Sequence, residues 1–342
     1  MMTFCFCMVV FPYKTMAQFA GGDGTESNPY QIATAEQLAQ MAILINQGKK
    51  VYNDKFYELV ANIDISAYNA SNADFNNGKG WIPIGIEGSS FYGTFNGNYH
   101  IINGLYINDS VRDKVGLFGS FGYLRGRIKN VGIENVNVRG HHNVGGLVGY
   151  LYDGGSITNC YSQGIVKGDF AVGGIVGNNG GFIRNCYSTG IVNGNQAIGG
   201  LAGWVSNGVT VANCYSTSVV SGNSYVGGLV GSNVGTIKDC AAINASVTLT
   251  TDKRVTDSRT GVITLIGRVE GDGRSLNRNN IALDEMLNAD GNTEWHNKGA
   301  NYHDGQDITI KEINADGTLG GRFTEENGWI VEDGNLPKLN NK

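Results

Sequence analysis

Val144-Gly145-Gly146-Leu147-Val148-Gly149 is the stretch that decides the fold, because the chain returns to it three times. It comes back as VGGIVG at 172–177, IGGLAG at 198–203 and VGGLVG at 226–231. The leading glycines, Gly145, Gly173, Gly199 and Gly227, are spaced 28, 26 and 28 residues apart. Asn159-Cys160-Tyr161-Ser162 keeps time with them, recurring at 185–188 and 213–216 and decaying to Asp239-Cys240-Ala241-Ala242. Degenerate copies flank the series. Val115-Gly116-Leu117-Phe118-Gly119 with Lys129-Asn130-Val131 lies before it, and Leu265-Ile266-Gly267 with Asn279-Asn280-Ile281-Ala282 follows an insertion near 248–262. A fixed period of this length without a helical stripe is the signature of a solenoid.

Each unit holds short Val/Ile/Leu runs separated by Gly, Asn and Ser, with few good helix formers. Such a unit divides into three short strands and three bends, one turn of a β-helix whose coils stack about 4.8 Å apart. A leucine-rich horseshoe lacks its core pattern here, and a propeller needs longer blades. The sequence therefore predicts an all-β, right-handed parallel β-helix with an N-terminal capping helix. Equivalent positions should form columns. Asn159, Asn185 and Asn213 are expected to stack as an amide ladder at a bend. Cys160, Cys186, Cys214 and Cys240 are expected to fill the interior as free thiols, with a disulfide as the alternative, since side chains stacked in register point in parallel. A straight column cannot wrap a metal ion either, so no metal site is expected. Alternation then places Tyr161, Tyr187 and Tyr215 on the outer face, an exposed aromatic strip suited to sugar rings. The first expectation is that the rings only support one another or lie under a loop from the flanks, and a sugar-binding strip is the alternative, with Tyr161, Tyr187 and Tyr215 as its residues.

The V-G-G-L-V-G units with N-C-Y-S downstream resemble the GLUG-motif repeats of bacterial surface and secreted proteins, common in gut Bacteroidetes. The resemblance extends to the flanks, Gly24-Thr25-Glu26-Ser27-Asn28-Pro29-Tyr30, Trp81-Ile82-Pro83-Ile84-Gly85 and Phe91-Tyr92-Gly93-Thr94-Phe95-Asn96-Gly97, and covers nearly all of 20–340. It implies a β-helix and an exported location. The motif also accompanies secreted metallopeptidases that cleave immunoglobulin A, but their zinc-binding H-E-x-x-H motif is missing from this sequence.

The chain has 342 residues, a formal net charge of -5, 16% charged residues, 52 glycines and 4 prolines, which excludes collagen, a disordered chain and an electrostatic nucleic-acid binder. Residues 1–17 read as a signal peptide, with Thr15-Met16-Ala17 before a cleavage at Gln18. No later run is long enough to cross a membrane, so no membrane insertion of the mature chain is expected. Residues 18–110 read as a cap helix with irregular first coils, 111–247 as the repeats, and 248–342 as degenerate last coils and a C-terminal cap. Thr34 should cap the helix, Leu38, Met41 and Ile45 form its apolar stripe, and Gly48 ends it. Ile281 to Leu287 is expected as a short helix and Trp329 to Leu339 as a terminal strand.

Residues 143–242 carry six charged side chains, Asp153, Lys167, Asp169, Arg184, Lys238 and Asp239, and no Glu. A glycosidase or lyase on this scaffold needs carboxylates gathered in one groove. His141-His142, His296 and His303 read as isolated surface histidines. The leading expectation is an exported, non-enzymatic scaffold, without cofactor, that presents a repeat face to a glycan or to a host or bacterial surface protein. Its alternative is a secreted carbohydrate-active enzyme, a polysaccharide lyase or glycosidase, with its acid and base in the flanking loops, for example Asp64, Asp74, Glu294 or Asp304.

Overall fold

The computed structural model describes residues 18–72, 75–123, 125–250, 266–272 and 276–339. They form a parallel β-solenoid of about nine turns. Three sheets run along it: a long composite sheet and two sheets of five strands each among the described residues. In one coil, Ser156–Lys167 lies in the long sheet, Phe170–Gly173 in the second and Val176–Asn179 in the third. The next coil repeats this in register, with Cys160 opposite Cys186, Val172 opposite Ile198 and Val176 opposite Ala202. The predicted signal peptide lies outside the described residues.

The motif glycines are explained by contact with main chain. The bend Gly145-Gly146-Leu147 joins the second sheet to the third, and the two sheets then run against each other. A Cβ on Gly149, Gly177, Gly203 or Gly231 would sit 2.3–2.4 Å from backbone of the facing second-sheet strand. None of these four needs a left-handed backbone; they are glycine because no side chain fits. The second glycine of each bend explains why the two motifs keep time. A Cβ on Gly146 would lie 2.2 Å from Ser162 Oγ, one on Gly174 2.7 Å from Ser188 Cβ, and one on Gly200 2.3 Å from Ser216 Oγ. The serine that ends N-C-Y-S occupies the space the glycine leaves empty. Ser188 Oγ also donates to the Gly200 carbonyl at 2.5 Å.

The asparagines sit at a left-handed bend, with φ of 53° at Asn159, 52° at Asn185 and 50° at Asn213, a conformation Asn tolerates better than most residues. Asn185 Nδ2 donates to Asn159 Oδ1 at 3.1 Å, and Asn159 Nδ2 to Asn130 Oδ1 at 3.0 Å. At Asn213 the ladder turns outward, and its amide donates to the Arg322 carbonyl instead. Cys160, Cys186, Cys214 and Cys240 are all free and buried. Each thiol donates to the carbonyl two residues before it, at 3.1–3.2 Å. Burial pushes the Cys160 and Cys214 thiols well above the ordinary value. In protein beginning at Gln18, all four thiols should resist a thiol reagent until denaturation and then react fully without reductant. A count below four in denaturant would reveal a disulfide.

At the N-terminal end, helix α1 spans Ala35–Asn46, and the Thr34 side chain accepts from Gln37 N. Leu38, Met41 and Ile45 are buried against the first coil. Helix α2, Lys50–Asn53, follows it. Short strands Thr94–Asn96, Ile101–Asn103 and Tyr106–Asn108 then pair with the single strand Arg127–Arg139, so irregular coils grade into regular ones.

Two expectations at the far end are corrected. Ile281–Leu283 is a strand rather than a helix, paired with Ala241–Ala242 and with Gln306–Ile308. All three of its residues are buried, which one amphipathic stripe could not achieve. Trp329 to Leu339 is no terminal strand; it makes one antiparallel bridge, Ile330 to Lys338, inside an irregular strap. Before the strap, helix α3, Ile310–Asp316, is closed by a capping box of Thr309 and Glu312.

Candidate functional site

The tyrosine column exists, but it is not an open strip. Tyr161 and Tyr187 stack with ring centroids 4.9 Å apart and an interplanar angle of 2°, and Tyr187 and Tyr215 at 4.9 Å and 0°. Tyr161 is 2% exposed and Tyr215 3%, while Tyr187 is half-buried. The C-terminal strap lies across the upper rings. Trp329 approaches Tyr187 at 6.2 Å and Tyr215 at 5.7 Å, and Phe323 meets Tyr215 edge-on at 5.7 Å. Polar contacts pin the strap in place. Asn185 Nδ2 donates to the Asn327 carbonyl at 2.6 Å, Asn213 Nδ2 to the Arg322 carbonyl at 3.0 Å and Tyr215 Oη to the Pro337 carbonyl at 2.8 Å. At the lower end Tyr161 Oη donates to Glu134 at 2.6 Å. Burial lifts the Tyr187 and Tyr215 phenols above their ordinary value. Tyr161, Tyr187 and Tyr215 are therefore a stack of rings, buried at Tyr161 and Tyr215, with the strap lying over Tyr187 and Tyr215.

An accessible aromatic surface lies elsewhere, where the helical cap meets the first coils. A cleft of about 310 Å³ is lined by Lys50, Asn53, Ser89, Ser90, Tyr92, Tyr123 and Tyr152, among others. Helix α2 supplies Lys50 and Asn53, the turn after Ile86 supplies the serines, and the loop after Phe118–Phe121 supplies Tyr123. Tyr123 is 64% exposed and held at φ 83°, where a bulky side chain is strained. Asn53 is buried, and its Nδ2 donates to the Ser90 carbonyl at 2.7 Å. Its Oδ1 has no hydrogen-bond partner among the described residues. Lys114 Nζ stands 3.3 Å from Tyr152 Oη and 3.3 Å from Glu87. Burial alone would lower the Lys114 ammonium, yet these two contacts hold it above the ordinary lysine value. The cleft thus offers aromatic faces, hydroxyls and a cation close behind one ring.

Three of the four carboxylates suggested for catalysis lie among the described residues, each in a different setting. Asp64 sits in a short first-coil strand and accepts from Ser66 N at 2.9 Å and Asn103 Nδ2 at 3.3 Å. These bonds hold its carboxyl below the usual range. Asp304 is buried in the last coil, accepting backbone N–H groups of Arg268 and Asn297 at 3.0 and 2.9 Å. Glu294 is exposed in a turn, and Asp74 lies outside the described residues. His141 and His142 are not isolated, contrary to expectation. Their rings stack at 3.7 Å, and Asp113 from the coil below contacts His141 Nδ1 at 3.0 Å. Asp113 and Asp169 lie one coil period on either side of His141, a signal that the repeat spacing already held.

Residues 140–167, 168–193 and 222–248, three units of the repeat body, match the model of the GLUG motif. Halomucin of Haloquadratum walsbyi is 37% identical over 157 residues, 46% of this chain and 2% of that protein. A protein of Evansella cellulosilytica named "Putative Gly-rich membrane protein" is 34% identical over 157 residues, 43% of this chain and 17% of that protein. The chain thus spans a small part of the relatives it matches. Among solved structures, a crystal structure from Bacteroides ovatus, titled as a putative immunoglobulin A1 protease, superposes with a TM-score of 0.74 at 25% identity. That superposition covers 94% of this chain and 95% of that one, so the capped solenoid as a whole has a counterpart. No helix among the described residues is long and apolar enough to cross a membrane.

Proposed function

We propose that the chain is an exported, non-enzymatic surface scaffold whose solenoid holds a glycan-contacting cleft at its N-terminal end. The observation that carries this reading is the convergence of Tyr92, Tyr123 and Tyr152 on one open cleft with Ser89 and Ser90. Sugar rings present apolar faces that pack on tyrosine and hydroxyls that bond to the tyrosine and serine hydroxyls of such a cleft. The name of the Gly-rich membrane protein, which places that protein at a membrane, supports an exported location. The rigid coils beneath the cleft support a binding role, since a site on paired strands keeps its geometry.

Titration against a glycan panel tests the reading, with Tyr92→Ser, Tyr123→Ser and Tyr152→Ser made singly and together. Each ring should contribute about 0.5–1.5 kcal/mol, so single changes weaken binding roughly 2- to 12-fold and the triple change nearly removes it. Tyr123→Ser is the cleanest single variant because its ring is mostly exposed. A folded triple variant that binds every positive glycan as wild type does would refute the cleft assignment. Turnover of any polysaccharide, abolished by one carboxylate substitution, would replace the scaffold with an enzyme.

A further inference from the structure

The corner where the long sheet turns into the second sheet carries different residues in successive coils. At the first full repeat it reads His141-His142-Asn143, and Asn143 has φ 57°. The two consecutive imidazoles before it stack with an interplanar angle of 19°. Main-chain bonds fix the height of the three coils at this corner. His141 N donates to the Arg112 carbonyl at 2.8 Å, and Asp169 N donates to the His141 carbonyl at 2.7 Å. Asp113 therefore stands below the pair and Asp169 above it.

We infer that Asp113, His141 and His142 form a site for a divalent transition-metal ion of the zinc class, oriented by Asp169. Asp113 Oδ1 lies 3.0 Å from His141 Nδ1 and 3.8 Å from His142 Nδ1. One ligand atom from each of the three residues falls within 4.8 Å of the others. A tetrahedral ion with bonds of 2.0–2.1 Å sets its ligands about 3.3 Å apart, a spacing the two measured distances bracket. Asp113 Oδ1 is also fixed from behind, accepting from His142 N at 3.1 Å. His142 Nε2 meets Asp169 Oδ2 at 3.5 Å, which leaves Nδ1 as the nitrogen facing the ion. A carboxylate holding the far nitrogen of a metal-bound imidazole fixes its tautomer and raises its basicity. Two imidazoles and one carboxylate select zinc, copper or nickel over calcium or magnesium, whose ligands are oxygens. The side chains are between about one-third and one-half exposed, so ions enter directly and the remaining coordination position is left to water.

Calorimetric titration of the metal-stripped full chain with Zn²⁺ tests the assignment. One ion per chain should bind, and Zn²⁺ should raise the thermal midpoint. The His141→Ala/His142→Ala double variant should lose on the order of 100-fold or more in affinity, and Asp169→Asn about 10-fold. Asp113→Asn provides a second ligand variant, because its side-chain oxygen can still accept from His142 N and preserve the corner. Wild type that takes up no Zn²⁺ would overturn the site. Equal stoichiometry and affinity in the folded double variant would overturn it too, assigning the ion to other groups.

Discussion

Gly203→Val should abolish cooperative folding of the solenoid. A Cβ at Gly203 would stand 2.3 Å from Val172 N and 2.4 Å from the Ala171 carbonyl carbon, main chain that strand pairing holds in register on both sides. Overpacking a core by a few methylenes already costs about 1–3 kcal/mol where side chains can yield. Here backbone must yield, and the displacement passes to the coils above and below. The control is Gly208→Ala, at φ +80° with open space around it. That change should cost only about 1–2 kcal/mol from its left-handed backbone. Urea unfolding followed by circular dichroism separates the two. Similar midpoints for both variants would mean that the sheets are not in contact at the motif glycines.

Trp329→Ala should release the strap and leave the repeat body folded. Trp329 is 2% exposed and touches Tyr187, Tyr215 and Phe323, so truncation should cost about 3–5 kcal/mol. The loss should appear as protease cleavage within 318–339 and as collapse of the near-ultraviolet signal of the stacked rings. Alkali should have the same effect. Burial, with Tyr187 adding to the effect at Tyr215, raises both phenols above the ordinary value of about 10, so the docked strap keeps this stability below pH 10. Above pH 10 the undocked state ionises first, and the stability is lost as pH rises toward the folded values. A Trp329→Ala protein as protease-resistant as wild type would show that the strap is held by other contacts.

The contrast between the columns and their cover marks what the repeat makes legible. In-register stacking follows from spacing, so the Asn, Cys and Tyr columns and the continuation to Ile266-Gly267 were readable from the sequence, the last paired with Val226-Gly227. Alternation also separated the cysteine side from the tyrosine side. It could not say what lies over the tyrosines, because Phe323 and Trp329 belong to no repeat and stand more than 100 residues beyond Tyr215. The cleft was hidden because Asn53 comes from helix α2 of the cap and the early coils are irregular, although Tyr92, Tyr123 and Tyr152 follow Phe91, Phe121 and Leu151, which pair across successive coils. Helix α3 was readable from the capping box at Thr309 and Glu312 but is too short to show a stripe. Ile281–Leu283 misled because a short apolar run fits a strand and a helix equally well.

Removing one coil tests the solenoid most directly. Ile198 occupies the position of Val172 one coil later, so deletion of 172–197 takes out 26 residues and joins Ala171 to Ile198 in register. Thermal unfolding of this protein should remain a single cooperative transition with strand-dominated circular dichroism, because each coil touches mainly its neighbours. Deletion of 172–184, half a coil, should leave no cooperative transition, since every column above the cut loses its partner. A folded half-coil deletion, or an unfolded full-coil deletion, would contradict a ladder of stacked parallel coils.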